Sequence, residues 1–193
     1  MQIYTTDTIS QMFNRIKQIE NDNTGFNASN YSMLNVHMSK NSEWGAMAYF
    51  AQSKYGLFRT GELATIQTNN STITGYNYRV NTNQSTTQNI TGIYDIVGGA
   101  NEYVMANYDG TIGSSGFSSL PDNYYYDVYS TLDSYYNSNL HHAMGEIDSY
   151  PSDADSTFVT SSNPWLVRSG LFDYRSSDGT AGYSSRTVIA VVK

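Results

Sequence analysis

Two adjacent histidines, His141 and His142, with Glu146 four residues past the second, are of types that could do chemistry. On one helical face they could hold a metal ion, because imidazole nitrogen and carboxylate oxygen are both zinc ligands. Gly145 weakens such a helix, no third ligand accompanies them, and the H-E-x-x-H spacing is absent. They read better as exposed loop histidines. Asp148, Asp153 and Asp155 offer the hard oxygen ligands that suit calcium, but without the glycine and closing glutamate of a calcium loop. Solvated acids are the better reading, while a calcium ion held with help from distant residues stays open. His37, alone in "LNVHMSK", reads as a satisfied or surface histidine.

The nucleophile and phosphate patterns fail as well. "GTIGSSGF" has the residue types of a G-x-S-x-G elbow in the wrong spacing, and neither G-x-G-x-x-G nor a P-loop occurs. The 193 residues include no cysteine, which removes disulfides, thiolate metal sites and cysteine nucleophiles. A glycosidase carboxylate pair meets only in three dimensions and cannot be assigned by spacing. Nothing in these patterns commits the chain to catalysis, an enzyme using His141, His142 or the 148–155 acids stays the less favoured alternative, and no cofactor is assigned.

A net charge of -7 and the lack of any Lys/Arg cluster argue against a phosphate-binding surface, so no nucleic acid is expected as partner. The start "MQIYTTDTISQMF" lacks the basic and apolar regions of a signal peptide. No apolar run approaches the ~18 residues of a membrane helix, so no insertion by this chain is expected. An export signal, if there is one, lies outside it. Tyrosine is abundant, 18 residues with runs such as "NYYYDVYS" at 123–130, amid much Ser, Asn, Gly and Asp. That mixture suits a recognition surface, and equally suits tyrosines packed half-buried on a loop-rich fold.

The elements that must position these residues are few. Thr5, Thr6 and Asp7 offer an N-cap, and Ile9, Met12, Phe13, Ile16 and Ile19 follow at helical spacing. A second helix starts at Asn41 and Ser42 with Glu43 in its first turn. Its apolar stripe is Trp44, Met47, Ala48, Ala51 and Tyr55, and Gly56 suits a left-handed C-terminal cap. Residues 57–93 read as short exposed strands or loops, and 106–163 mostly as loop. "RTVIAVV", 186–192, reads as a strand buried on both faces. The fold class is α+β with two helices, short sheets and high loop content, in one domain over residues 1–193.

Between these elements, "ITGIYDIVGGANEYVMANYDG" reads as a strand that stops at Gly98 and Gly99 and resumes at Asn101. Its segment "GIYDIVGGANEYV" resembles the signature of the formylglycine-generating-enzyme-like family, where a strand leads into a Gly-Asn-x-Trp-Glu-Trp type turn. "KNSEWGAMAYFAQSKYG", 40–56, is similar to the helix preceding that turn. "NPWLVRSGLFDYRSSDGTAGYSSRTVIAVV" is similar to the closing pattern of Trp-x-x-Arg-Gly-Gly, a variable middle, Ser-Phe-Arg and an apolar strand. The three segments follow the family order over most of residues 40–192.

The resemblance implies a C-type-lectin-like fold, with Trp44, Gly98, Gly99, Glu102, Trp165, Arg168 and Arg186 as structural positions. Asn101 stands where the pattern has Trp, Ser169 replaces a glycine, and Ser185 stands where an aromatic is usual. The family's enzymes use active-site cysteines, so their oxidase activity should be absent here. Cysteine-less members include the variable proteins of diversity-generating retroelements, whose substituted surface lies near the C-terminus. The equivalent stretch is 169–185, which gives Phe172, Asp173, Tyr174, Arg175, Ser176, Ser177, Asp178, Thr180, Tyr183 and Ser184 as ligand-binding residues.

The resemblance thus implies a binding domain for a protein or glycan on a bacterial surface, an appendage or a phage tail, forming the C-terminal part of a longer protein. The alternatives are a structural subunit of such an assembly, oligomeric through its tyrosine-rich loops, and a calcium-dependent sugar binder. Gly98 and Gly99 read as a backbone device, and Glu102 as a buried carboxylate whose mate is Arg168 or Arg186.

Overall fold

The computed structural model describes residues 6–21, 34–51, 53–56, 82–94, 96, 100–130, 158–169 and 173–191. Helix α1 spans Ile9–Asn21, strand β1 Leu34–Met38 and helix α2 Asn41–Ala51. Strands β2 (Glu102–Tyr108), β3 (Asp127–Tyr129), β4 (Trp165–Ser169), β5 (Asp173–Ser177), β6 (Ser184–Ser185) and β7 (Thr187–Val191) follow. The chain is α+β, with two helices and short sheets among the described residues.

Helix α1 starts where Gln11 reaches back to accept a 2.8 Å bond from the Thr8 amide, half of a capping box. The N-cap is therefore Thr8 rather than one of residues 5–7. Ile9, Met12, Phe13 and Ile16 are buried, and Ile19 packs at the margin of the same cluster. Helix α2 buries Trp44, Ala48 and Ala51 with Met47 beside them, but it ends at Ala51. Tyr55 lies in the following turn and is 68% exposed, so it is not part of the stripe. Gly56 does not take the left-handed conformation expected of it. Its reason is close approach: a Cβ there would stand 2.4 Å from the carbonyl oxygens of Phe50 and Ala51.

The main sheet runs β3-β2-β4-β5, with β4 antiparallel to both β2 and β5. The free side of β2 takes three short parallel partners in succession: β6 at Glu102 and Tyr103, a bridge from Lys40 at Met105, then β3 from Ala106. Strand alternation sends β2 side chains to two cores. Tyr103 and Met105 join Trp165, Val167 and the α1 stripe on one face. Val104 and Ala106 join Leu166, Tyr129, Val159 and the α2 stripe on the other.

Strand β7 closes the fold by pairing antiparallel with β1, Val36 opposite Ile189. It is not the doubly buried strand its composition suggested. Ile189 is 43% exposed, so the face of β7 that carries it is open to solvent, and β7 pairs only with β1 among the described residues. Residues 106–163 are mostly loop where they are described, as expected, with the end of β2 at Tyr108 and the short β3 at 127–129 set among them, and 131–157 lie outside the described residues. Of the described tyrosines there, Tyr124 is exposed and the others are half-buried or buried. Tyr129 is buried, and Tyr125 meets Phe13 edge-on at 5.6 Å. Among the described residues, no helix is long and apolar enough to cross a membrane.

Candidate functional site

The connection 178–183 carries the chain from β5, at one edge of the sheet, to β6 on the far side of β2. It crosses over Tyr103, which is fully buried at the centre of the sheet. The Tyr103 hydroxyl donates to the Thr180 carbonyl at 2.8 Å. That proton being used, the Ser177 hydroxyl, 2.6 Å away, donates to the phenol oxygen. Ser177 Oγ in turn accepts from the Gly179 amide at 3.3 Å. Burial pushes the Tyr103 phenol up to about 12, against the opposing effect of the Ser177 bond. The ring of Tyr183 stands edge-on to Tyr103, centroids 5.0 Å apart.

Asp178 closes the turn from outside. Its Oδ1 accepts from the Thr180 amide at 3.1 Å and the Thr180 hydroxyl at 2.9 Å, an Asx-type turn. The bond from the Thr180 amide is the main reason its carboxyl lies below the ordinary range, with burial acting against it. The Asp178 carbonyl accepts from the Ser114 amide at 2.6 Å, so the loop at 113–115 locks against the turn. Gly179, at φ +100°, could carry no side chain there. A Cβ would lie 2.7 Å from Ser115 Cα.

Among the predicted ligand-binding residues, Arg175 and Thr180 are exposed, and Ser176, Asp178 and Tyr183 are half-buried. Ser177 and Ser184 differ from that expectation, since both are buried. Ser177 is part of the bonding beneath the turn, and Ser184 donates through its hydroxyl to the Asn101 carbonyl at 3.0 Å. A serine side chain is short enough to turn back onto nearby backbone, so type alone does not mark it as outward. Asp173 and Tyr174 lie on β5 opposite Ser169 and Arg168. Phe172, Gly98 and Gly99 lie outside the described residues, as do His141, His142, Glu146, Asp148, Asp153 and Asp155. Among the described residues no three His, Asp or Glu side chains converge to hold a metal.

The structural positions divide their work. Glu102 pairs with Arg186 in a two-pronged ion pair, Nε to Oε2 at 3.2 Å and Nη2 to Oε1 at 3.1 Å. Arg186 Nη1 also donates to the Tyr94 carbonyl at 3.1 Å. Arg168 sits directly across from Glu102 in register, but it turns to α2 instead. It is 3% exposed, donates through Nε to Asn41 Oδ1 at 2.8 Å, and lies 4.3 Å over the Trp44 ring. Trp165 is fully buried, and its indole N–H donates to the Ile112 carbonyl at 3.0 Å.

Sequence reading missed Tyr103 as the pin of the turn, and missed the Ser114 amide and Asn101 carbonyl that fasten its ends. The one local signal is the pair of glycines, Gly113 and Gly179, whose close approach leaves no room for a side chain. The exposed groups here are the Arg175 guanidinium on β5 and Thr180 on the turn, with the half-buried Tyr183 ring beside them, types that can bind and orient a ligand. No family model matches this chain, and no curated protein or solved structure shows significant similarity to it.

Proposed function

We propose that this chain is a non-catalytic ligand-binding domain that recognises a protein or glycan through the face formed by β5 and the 178–183 turn. The observation that supports the reading most is the rigidity beneath that face. Tyr103, Ser177, Gly179 and the Ser114 amide hold the turn by internal bonds. Arg175 and Thr180 remain in solvent, with Tyr183 half-covered beside them. A binding surface gains affinity when its anchors are ordered before the ligand arrives, because less entropy is lost on contact. Arginine and tyrosine are the side chains that most often dominate such contacts.

The resemblance to cysteine-less formylglycine-generating-enzyme-like proteins supports the same face. The α+β core, with two helices, short sheets and much loop among the described residues, accords with the fold class which that resemblance implies. On this reading the chain is a displayed part of a cell-surface or virion protein. A glycan array and a panel of immobilised surface proteins, probed with the purified chain, supply the test. Arg175→Ala and Tyr183→Ala should lose the bound signal while far-UV spectra stay unchanged. Full retention of binding by both variants would move the site elsewhere. Loss of binding in a calcium chelator would instead favour a calcium-dependent sugar binder.

A further inference from the structure

His37 carries both of its ring nitrogens against side-chain oxygens although the residue is only 3% exposed. Nε2 lies 2.8 Å from Glu43 Oε1 and Nδ1 lies 3.0 Å from Asn35 Oδ1. The Asn35 amide nitrogen then donates to the Tyr124 hydroxyl at 2.8 Å. Tyr124 is 54% exposed, so this chain of bonds runs from a buried imidazole to the surface. Asn35 and His37 are two apart on β1 and share a face, which is what lets the amide join them to Tyr124.

We propose that His37, Asn35 and Tyr124 form a hydrogen-bond relay in which a proton on the buried imidazole sets the direction of the bond at the exposed tyrosine. A neutral imidazole has one N–H and a charged one has two. In both states Nε2–H donates to Glu43. With the second proton present, Nδ1–H donates to Asn35 Oδ1, the amide donates to the Tyr124 oxygen, and the tyrosine proton faces outward. When that proton leaves to solvent, Nδ1 becomes an acceptor. The Asn35 amide then turns over, donating to Nδ1 and accepting from the Tyr124 O–H. Every polar atom is satisfied in both arrangements with the heavy atoms in place, because an amide's two ends are nearly isosteric. The outward-facing hydroxyl changes from donor to acceptor, beside Lys40, which sits 5.2 Å over the same ring.

The charged and titratable neighbours suit such a relay. Burial works against the Glu43 carboxylate, yet the bonds from His37 and the Lys40 amide outweigh it and hold its carboxyl below the ordinary range. From α1, Glu20 accepts from the Val36 amide at 3.0 Å and pairs with Lys17. Lys17 donates to the Tyr125 hydroxyl at 3.2 Å, and the Tyr125 ring stands 6.3 Å from His37. Thr187, Val188, Ile189 and Ala190 of the partner strand β7 are uncharged. Glu43 is thus the only charged group bonded to the imidazole among the described residues.

The test is a pH titration of the labelled full chain by NMR, following the His37 ring nitrogens, the Asn35 side-chain amide and Tyr124 Cζ. All three signals should move with one midpoint. In Asn35→Ala, His37 should still titrate while the Tyr124 Cζ response is lost. An Asn35 amide and Tyr124 Cζ that stay fixed while His37 titrates would overturn the relay. So would a Tyr124 response that survives in Asn35→Ala, since that is a field effect through space. If that variant fails to fold, the near-isosteric Asn35→Leu replaces it and is read by the same two outcomes.

Discussion

Replacing Glu102 with Ala removes the carboxylate that faces the Arg186 guanidinium on both prongs. Both side chains are mostly covered, at 15% and 18% relative exposure, so water replaces the lost contact only in part. Breaking a fully buried pair by removing one member costs about 3–5 kcal/mol. The residual exposure and the bond from Arg186 to the Tyr94 carbonyl lower that to about 2–3 kcal/mol. A domain of this size shifts by about 2–4 °C per kcal/mol, so Tm should fall by roughly 4–12 °C. Differential scanning calorimetry with matched urea melts reads the change. Glu102→Ala combined with Arg186→Ala should recover part of the loss, because the second change removes the guanidinium that has lost its carboxylate. A Glu102→Ala protein with unchanged melting but lost ligand binding would refute the structural assignment and place Glu102 in the binding site.

Tyr103→Phe deletes the hydroxyl that holds Thr180 and Ser177, and it should cost about 1–2 kcal/mol in urea melts. Amide exchange should also quicken at 178–183, and unchanged exchange there would mean the pin is idle. Gly179→Ala combines φ +100° with a Cβ 2.7 Å from Ser115 Cα, and should cost about 2–4 kcal/mol by the same melts. A neutral Gly179→Ala would show that the loop at 113–115 yields. The depressed Asp178 carboxyl gives stability that is present above its unfolded value and lost as pH falls toward the folded one. Asp178→Asn keeps the turn acceptor but not the charge, so its stability should fall less steeply in acid than that of the parent chain. The raised Tyr103 phenol works in the opposite sense. Its share of stability is complete below the ordinary tyrosine range and is lost as pH rises toward about 12, so ultraviolet titration should find one tyrosine ionising late.

The helices were the legible part, because burial on one side of a cylinder imposes a 3.6-residue period that Ile9, Met12, Phe13 and Ile16 keep. Tyr55 shows where that method overruns. Its spacing continued the α2 stripe, but the helix had ended at Ala51, and a periodic residue beyond the last turn points where the turn sends it. The β7 reading failed for a different reason. "TVIAV" is apolar enough for a doubly covered strand, but coverage depends on what packs outside it, and the face of β7 that carries Ile189 is open to solvent. Glu102 and its two candidate arginines mark a third limit. Arg168 is its cross-strand neighbour, and only the three-dimensional position of Asn41 and Trp44 shows why that guanidinium turns away.

Tyr103 and Thr180 lie 77 residues apart in the chain, which is why no local pattern could place the pin beneath the turn. Their meeting follows from the sheet. Antiparallel β4 brings β5 alongside β2, and β6 must then reach the other side of β2, so the intervening residues have to cross its face. At Thr180 the buried end of β2 therefore meets the backbone of the crossing segment, beside the Tyr183 ring, and a tyrosine hydroxyl there can grip the Thr180 carbonyl whatever side chain position 180 carries. The same holds for the Ser114 amide on the Asp178 carbonyl. The Thr180 side chain adds only its hydroxyl bond to Asp178, while the main chain at 180 carries the bonds to Tyr103 and Asp178. Thr180→Arg should then melt close to the parent, whereas Ser177→Val, which fills a buried polar position with carbon, should not. Equal losses in the two variants would mean that the turn's side chains, and not its backbone, hold it in place.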